Sequence, residues 1–325
     1  MTSMTDTTTS FVLNLDAVPP GAMSPPVDLS AMTATMAAAD ADAVAAAVQL
    51  LADHGDHRVL RRIDETTLPI VPDVDDAPTR IGLAIDVETT GLDPVRDPII
   101  ELAARRFRFN AAGQIVGVGI TRLWREDPGR PLDPAITRLT GLTDVDLVGQ
   151  RIDTAAATAL IRSAHVVIAH SALFDRGRVE ARLPDAADRP WACSMREVDW
   201  PDLGFDGRGL GWLLAQAGWF YPQHRAETDV LALLHLLAHE REGRTVLSHL
   251  LERAEQPTIK LEVFDTPMAA RPALKMRGYA WDPGRRYWWR EVAPGDADAE
   301  QAWLHENRCQ RPAHRIDQTW RDRHR

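Results

Sequence analysis

The run Ile81-Gly82-Leu83-Ala84-Ile85 leads without a break into Asp86-Val87-Glu88, and this joint between an apolar segment and paired acids constrains the chain more than any other stretch. A short, mostly apolar run fits a strand buried on both faces. Residues two apart on a strand project from the same side, so both carboxylates leave the sheet edge together. Two bare carboxylates side by side repel, and cations are the usual remedy. An isolated Asp-x-Glu arises as readily on an ordinary surface, so the reading depends on further acids arriving at comparable places.

They do. His170-Ser171-Ala172-Leu173-Phe174-Asp175 follows the compact apolar strand expected over His165 to Ala169 and enters a helix over Phe174 to Leu183. His224-Arg225-Ala226-Glu227-Thr228-Asp229 opens a helix expected over Ala226 to Glu242, with Leu231, Leu234 and Leu237 on one side. Further strands are expected over Ile99 to Phe109 and Gly117 to Trp124, and helices over Asp133 to Leu142 and Thr154 to Ser163. Strands interleaved with helices predict an α/β domain over residues 80–245, a mixed central sheet flanked by helices.

The three acidic segments, in this order, resemble the DEDDh-type 3′–5′ exonuclease family, which takes in the epsilon proofreading subunit of bacterial replicases and ribonuclease T. Its first motif is similar to Asp86-x-Glu88-Thr89-x-Gly91, its second to His170-x-Ala172-x-Phe174-Asp175, and its third to His224-x-x-x-x-Asp229. Pro98 to Ala103 and Thr140 to Thr143 also resemble family segments, while Ser171 stands where the family usually has Asn. The resemblance spans residues 80–242 and implies a ribonuclease H-like fold. It also implies two Mg2+ (or Mn2+) ions held by Asp86, Glu88, Asp175 and Asp229, with His224 as general base and Thr89 and Leu92 seating the terminal nucleotide. Oxygen ligands suit such hard cations, paired ions suit in-line displacement at phosphorus, and an imidazole accepts a proton near neutral pH. His170 is a further substrate-binding candidate, against the plainer reading that it fixes a loop. His235 and His239, four apart on a helix without a third ligand, are expected to face solvent.

Outside that domain the signals are compositional. The net charge of −10 is concentrated in residues 1–79, which hold twelve acids against three arginines, so the remainder is near neutral and compatible with a nucleic-acid partner. Residues 1–35, rich in Thr, Pro, Ala and Met, read as a disordered leader, and residues 36–53 as a helix. The Ala-rich stretch carries Asp40 and Asp42, too costly for a membrane span. No secretory signal opens the chain, and the two cysteines, Cys193 and Cys309, make neither a disulfide framework nor a zinc site. A cytoplasmic protein without a membrane partner is the expectation.

Residues 256–310 read as a small basic and aromatic α+β domain, with residues 311–325 as a frayed basic tail. Lys275, Arg277, Tyr279 and Trp281 are candidates for binding substrate there, since cations attract phosphate and aromatic faces stack on unpaired bases. The alternative is that the aromatics are the core of a very small domain. Leu274-Lys275-x-x-Gly278-Tyr279-x-Trp281-Asp282-Pro283 also resembles a small module attached to DNA-processing proteins.

The expected function is release of nucleoside monophosphates from 3′ ends of single-stranded or frayed DNA. An exoribonuclease of the same fold and a non-catalytic nucleic-acid-binding protein are the alternatives. Gln49-Leu50-Leu51-Ala52-Asp53 lacks the closing aromatic of a clamp-binding peptide, so stable replicase association is not expected.

Overall fold

The computed structural model describes residues 29–73 and 78–325, with side chains from residue 41. The leader expected over residues 1–35 lies outside the described residues as far as residue 28. The chain forms two compact units, residues 1–59 and residues 60–325. In the first, helix α1 (Leu29–Ala52) begins earlier than the residue 36 expected, and its described side chains are exposed apart from half-buried Val48. No described helix is long and apolar enough to cross a membrane.

The second unit starts ahead of the expected boundary at Arg80. Arg61–Arg62 pairs in parallel with Trp219–Phe220, Ile63 and Leu68 are buried, and the Val71 amide donates to the Ile115 carbonyl at 3.0 Å. These anchors are too short to carry a periodicity, and their pairing partners lie far away in the chain.

A six-stranded mixed sheet forms the frame. Strand β1 (Arg80–Thr89) pairs antiparallel with β2 (Ile99–Phe109), which in turn pairs antiparallel with β3 (Ile115–Val118) and β4 (Arg122–Arg125). After helix α2 (Thr154–Arg162), begun where the Asp153 side chain caps the Ala156 amide, strand β5 (Val166–Ala169) lies parallel to β1. Helix α3 (Ala172–Arg182) leads to β6 (Trp191–Cys193), parallel to β5. The sheet order is β3-β2-β1-β5-β6, with β4 beside β2.

Both faces of β1 are covered, which explains its apolar run. Leu83, Ile85 and Val87 join the core that includes α2 and α3 residues. Ala84 belongs instead to the core built with helices α4 (Ala226–Ala238) and α5 (Val246–Glu255). The Phe107 ring fills the space that a Cβ at Gly82 would need, so β1 and β2 pack closely on this side. Strand period then aims Asp86 and Glu88 at the α4 face, and a register shift between Glu88 and Thr89 ends the regular pairing there.

The C-terminal region is a four-stranded antiparallel sheet of order β8-β9-β7-β10, comprising β7 (Thr258–Val263), β8 (Ala280–Asp282), β9 (Tyr287–Val292) and β10 (His314–Gln318). One face packs Leu261, Val263 and Val292 against Leu274 and against Leu304 of helix α6 (Ala297–Glu306). Residues 311–325 are not frayed. They supply β10, and beyond it the Trp320 carbonyl accepts from the Trp191 amide of β6 at 2.8 Å. The buried Arg176 guanidinium of α3 donates to the carbonyls of Arg321 and Arg323. Arg323 is itself buried, paired with Glu197 and donating to the carbonyls of Ala254 and Gln256. The basic run was read as solvated because its acidic and carbonyl partners are distant in sequence.

Candidate active site

Helix α4 crosses the face of β1 and β2 from which Asp86 and Glu88 project. Its first turn therefore delivers Asp229 to them, and ligand oxygens of Asp86, Glu88 and Asp229 all lie within 4.8 Å of one another. Asp175 is outside that trio but adjoins it. Strand β5 ends at Ala169, so the Val87 amide of β1 has no strand partner on that side, and the Asp175 carboxylate accepts from it at 3.2 Å. Asp175 is buried, and its charge acts on Asp86.

Fixed donors orient these acids. Asp229 accepts from the Tyr221 hydroxyl at 2.7 Å through Oδ1 and from the Arg225 amide at 3.0 Å through Oδ2. Glu101, fully buried, stands opposite Glu88 across the β1–β2 ladder. It accepts from the Ala226 amide at 3.2 Å, from Arg125 Nε at 3.1 Å and from Arg225 Nη2 at 3.3 Å. That carboxylate thus ties the start of α4 to the sheet and engages the two guanidiniums nearest the pocket.

The cluster is short of positive charge. Burial, then the charges of Asp175, Asp229, Glu88 and Glu101, push the Asp86 carboxyl well above its ordinary value. Burial, followed by Asp229 and Glu101, pushes Glu88 up to about 8, with Arg225 a weaker opposing influence. Burial raises Asp175 to about 7 against the Val87 amide, and also raises Asp229 against the Tyr221 hydroxyl. Tyr221 is raised as well, by its own burial and by the acids it faces. A pocket of hard oxygen donors that repel one another when ionised fits divalent cations.

His224 is exposed and adopts φ 66°, a left-handed conformation that costs energy in a non-glycine residue and recurs at functional sites. Its charge lowers Asp229, so the imidazole stands near the cluster. Thr89 is buried and its hydroxyl donates to the Gly91 carbonyl at 2.6 Å, leaving that hydroxyl committed to the turn. Leu92 is 83% exposed, while its carbonyl accepts from Arg178 Nη2 at 2.7 Å. Arg178 also lies over the Phe174 ring, 3.6 Å from its centroid, and so fastens the loop after β1 to α3.

Four sequence expectations are corrected. His170 is buried, its Nδ1 paired with Ser194 Oγ at 2.9 Å and its Nε2 with the Arg208 carbonyl at 2.7 Å. Burial lowers it to about 4, so it is a neutral loop anchor with no ring nitrogen left for substrate. Tyr279 is core of the small domain, stacked 6.4 Å from Trp303, and cannot offer a face to a base. Arg277 is spent on Glu300 at 3.1 Å and on the Trp303 ring, away from the pocket of acids. His235 is buried rather than solvent-facing, donating to the Asp64 carbonyl at 3.2 Å beside the Trp219 ring. Lys275 and Trp281 are exposed.

Tyr221, Glu101 and Arg225 escaped the sequence reading as site residues. Glu101 and Arg225 lay in segments already singled out, but the position of Glu101 against Glu88 depends on strand register. Tyr221 and Arg225 were within eight residues of Asp229, but nothing in their spacing distinguishes them from ordinary loop residues.

The RNase_T exonuclease family model matches residues 83–237. The chain is 29% identical over 190 residues to DNA polymerase III subunit epsilon of Treponema pallidum (strain Nichols), covering 54% of this chain and 84% of that one. It is 33% identical over 102 residues to the PolC-type DNA polymerase III of Streptococcus pyogenes serotype M1, covering 30% of this chain and 6% of that one. Among solved structures, a zinc-bound complex of E. coli exonuclease I with single-stranded DNA aligns with a TM-score of 0.41 at 17% identity, covering 56% of this chain and 48% of that one. The chain thus spans most of the epsilon relative but only a small part of the PolC-type polymerase and about half of exonuclease I. The family match falls on the sheet and helices that carry the acids, and over residues 83–237 the chain is similar to exonucleases of the DEDDh 3′–5′ type.

Proposed function

We propose that this protein removes nucleoside monophosphates one at a time from the 3′ end of single-stranded or frayed DNA, using two Mg2+ or Mn2+ ions held by Asp86, Glu88, Asp175 and Asp229. The observation that carries the reading is the approach of Asp86, Glu88 and Asp229 to within 4.8 Å in a half-buried pocket short of positive charge. Divalent ions at these carboxylates supply Lewis-acid stabilisation of charge on the phosphate oxygens and make the attacking water more acidic. The residues do the rest. His224, exposed at the mouth, accepts the proton of that water. Tyr221 and the Arg225 amide hold the Asp229 carboxylate in one orientation, and the Val87 amide does the same for Asp175. The backbone at Thr89 and the exposed Leu92 side chain seat the terminal nucleotide.

DNA is favoured over RNA by the two polymerase relatives, both named as parts of DNA polymerase III. A free nuclease is favoured over a stable replicase subunit by the missing closing aromatic after Gln49-Leu50-Leu51. The decisive experiment is digestion of 3′-labelled DNA and RNA oligonucleotides by the purified chain with Mg2+, with Mn2+ and with chelator. Mononucleotides are expected from DNA with either metal and none with chelator, and Asp86→Ala is expected to lower the rate to background while keeping the fold. No cleavage by the unmutated chain with either metal would establish the non-catalytic binding protein instead.

A further inference from the structure

A cavity of about 750 Å3 lies between the nuclease region and the face of the C-terminal sheet turned away from its own core. Its two walls differ in chemistry. The small sheet contributes Tyr287 and Trp289 from β9, whereas Trp281 of β8, opposite Trp288 in the ladder, turns its ring to the other face of the sheet. The nuclease side contributes Arg196, Arg208 and Arg253, all exposed. Most lining acids are already answered: Glu197 pairs with Arg323 and His324, and Glu291 with Arg323. Arg196, Arg208 and Arg253 have no carboxylate partner among the described residues, and Arg196 lies over the Trp289 ring at 5.6 Å. One end of the cavity reaches the catalytic neighbourhood. Leu173, two residues before Asp175 on α3, lines it, and so does Arg208, whose carbonyl holds His170.

We infer that this groove binds the single-stranded polynucleotide on the 5′ side of the nucleotide being removed, with phosphates on Arg196 and Arg253 and bases against Trp289. Unpaired cations along one wall and aromatic faces along the other are what an unpaired strand needs, because phosphates are regularly spaced and every base has a stacking face. The inference rests on the exonuclease reading and replaces Tyr279, Lys275 and Arg277, none of which lines the groove, as the small domain's contribution to substrate binding.

The full chain provides the test. With chelator present, the anisotropy of a 5′-fluorescent fifteen-residue oligothymidylate gives Kd and its salt dependence. Arg196→Gln and Arg253→Gln, on exposed side chains, are each expected to weaken binding by about tenfold and to flatten the slope of log K against log salt by about 0.7. Trp289→Leu is expected to weaken binding by about tenfold with the slope retained. With metal present, KM of the unmutated chain is expected to fall as the substrate grows from three to fifteen nucleotides, and each variant to lose that dependence. Wild-type Kd and slope in both arginine variants would overturn the groove. Failure of the unmutated chain to cleave even the trinucleotide would overturn the nuclease reading, while the chelator measurement still decides the groove.

Discussion

Two places in this protein bury carboxylates, and they solve the problem oppositely. Beside the end of β6, Glu197 is enclosed with Arg323 and His324 and accepts from the Cys193 amide at 2.6 Å. Although burial opposes it, the partners hold its carboxyl below the ordinary range. At the end of β1, Asp86 and Glu88 are half-buried beside further acids, and their carboxyls rise. The first cluster is complete within the chain. The second holds more acid than the cations around it match, so the comparison separates an acid satisfied within the fold from acids that are not.

The largest effect that sharpens this contrast is expected at the complete cluster. Glu197→Ala leaves the buried Arg323 guanidinium with Glu291 as its remaining carboxylate and should destabilise the protein by about 3 kcal/mol, read by urea unfolding. Asp86→Asn should instead leave metal-free stability unchanged or higher, because it removes one of several repelling charges. If both substitutions destabilise equally, the contrast fails.

The next expected effect is a pH dependence of opposite sign to the usual acid one. Glu88 and Asp175 hold their protons to about 8 and about 7 in the folded, metal-free chain, whereas unfolded carboxylates release theirs near pH ~4. Between those limits the folded state binds more protons, so stability falls as pH rises. The thermal midpoint with chelator should therefore decline from pH 5 to pH 8, and Mn2+ should raise the midpoint most at pH 8. A midpoint insensitive to Mn2+ at pH 8 would break the comparison.

The smallest effect is at Tyr221→Phe, which removes one donor to Asp229 and should cost about 1 kcal/mol in the metal-bound form. The measurable sign is a severalfold higher metal concentration for half-maximal activity.

The legible parts of this molecule were those written in local pattern. The apolar run before Asp86 and the period of two that aligns Glu88 with it are properties of a few adjacent residues, as is the helix that begins after Arg225. What stayed hidden depends on register and on long-range pairing. Glu101 meets Glu88 only because β1 and β2 pair with that alignment. Ile63 and Leu68 join the nuclease core through a two-residue strand whose partner lies at Trp219–Phe220. The basic tail looked solvated because a charge run carries no mark of the distant glutamate and carbonyls that receive it. His170, a substrate candidate weighed against a loop-fixing role, is satisfied by Ser194 and Arg208, neither of which could be paired with it in advance.

The 126 positions that separate Glu197 from Arg323 also bear on how the protein is made. At a synthesis rate of roughly 5–20 residues per second, the glutamate emerges about 6–25 s before its guanidinium. During that interval the edge of β6 has neither the Trp320 carbonyl nor the Arg323 charge to close it, and a nascent nuclease sheet must wait, open on one side, for residues made long after its own strands.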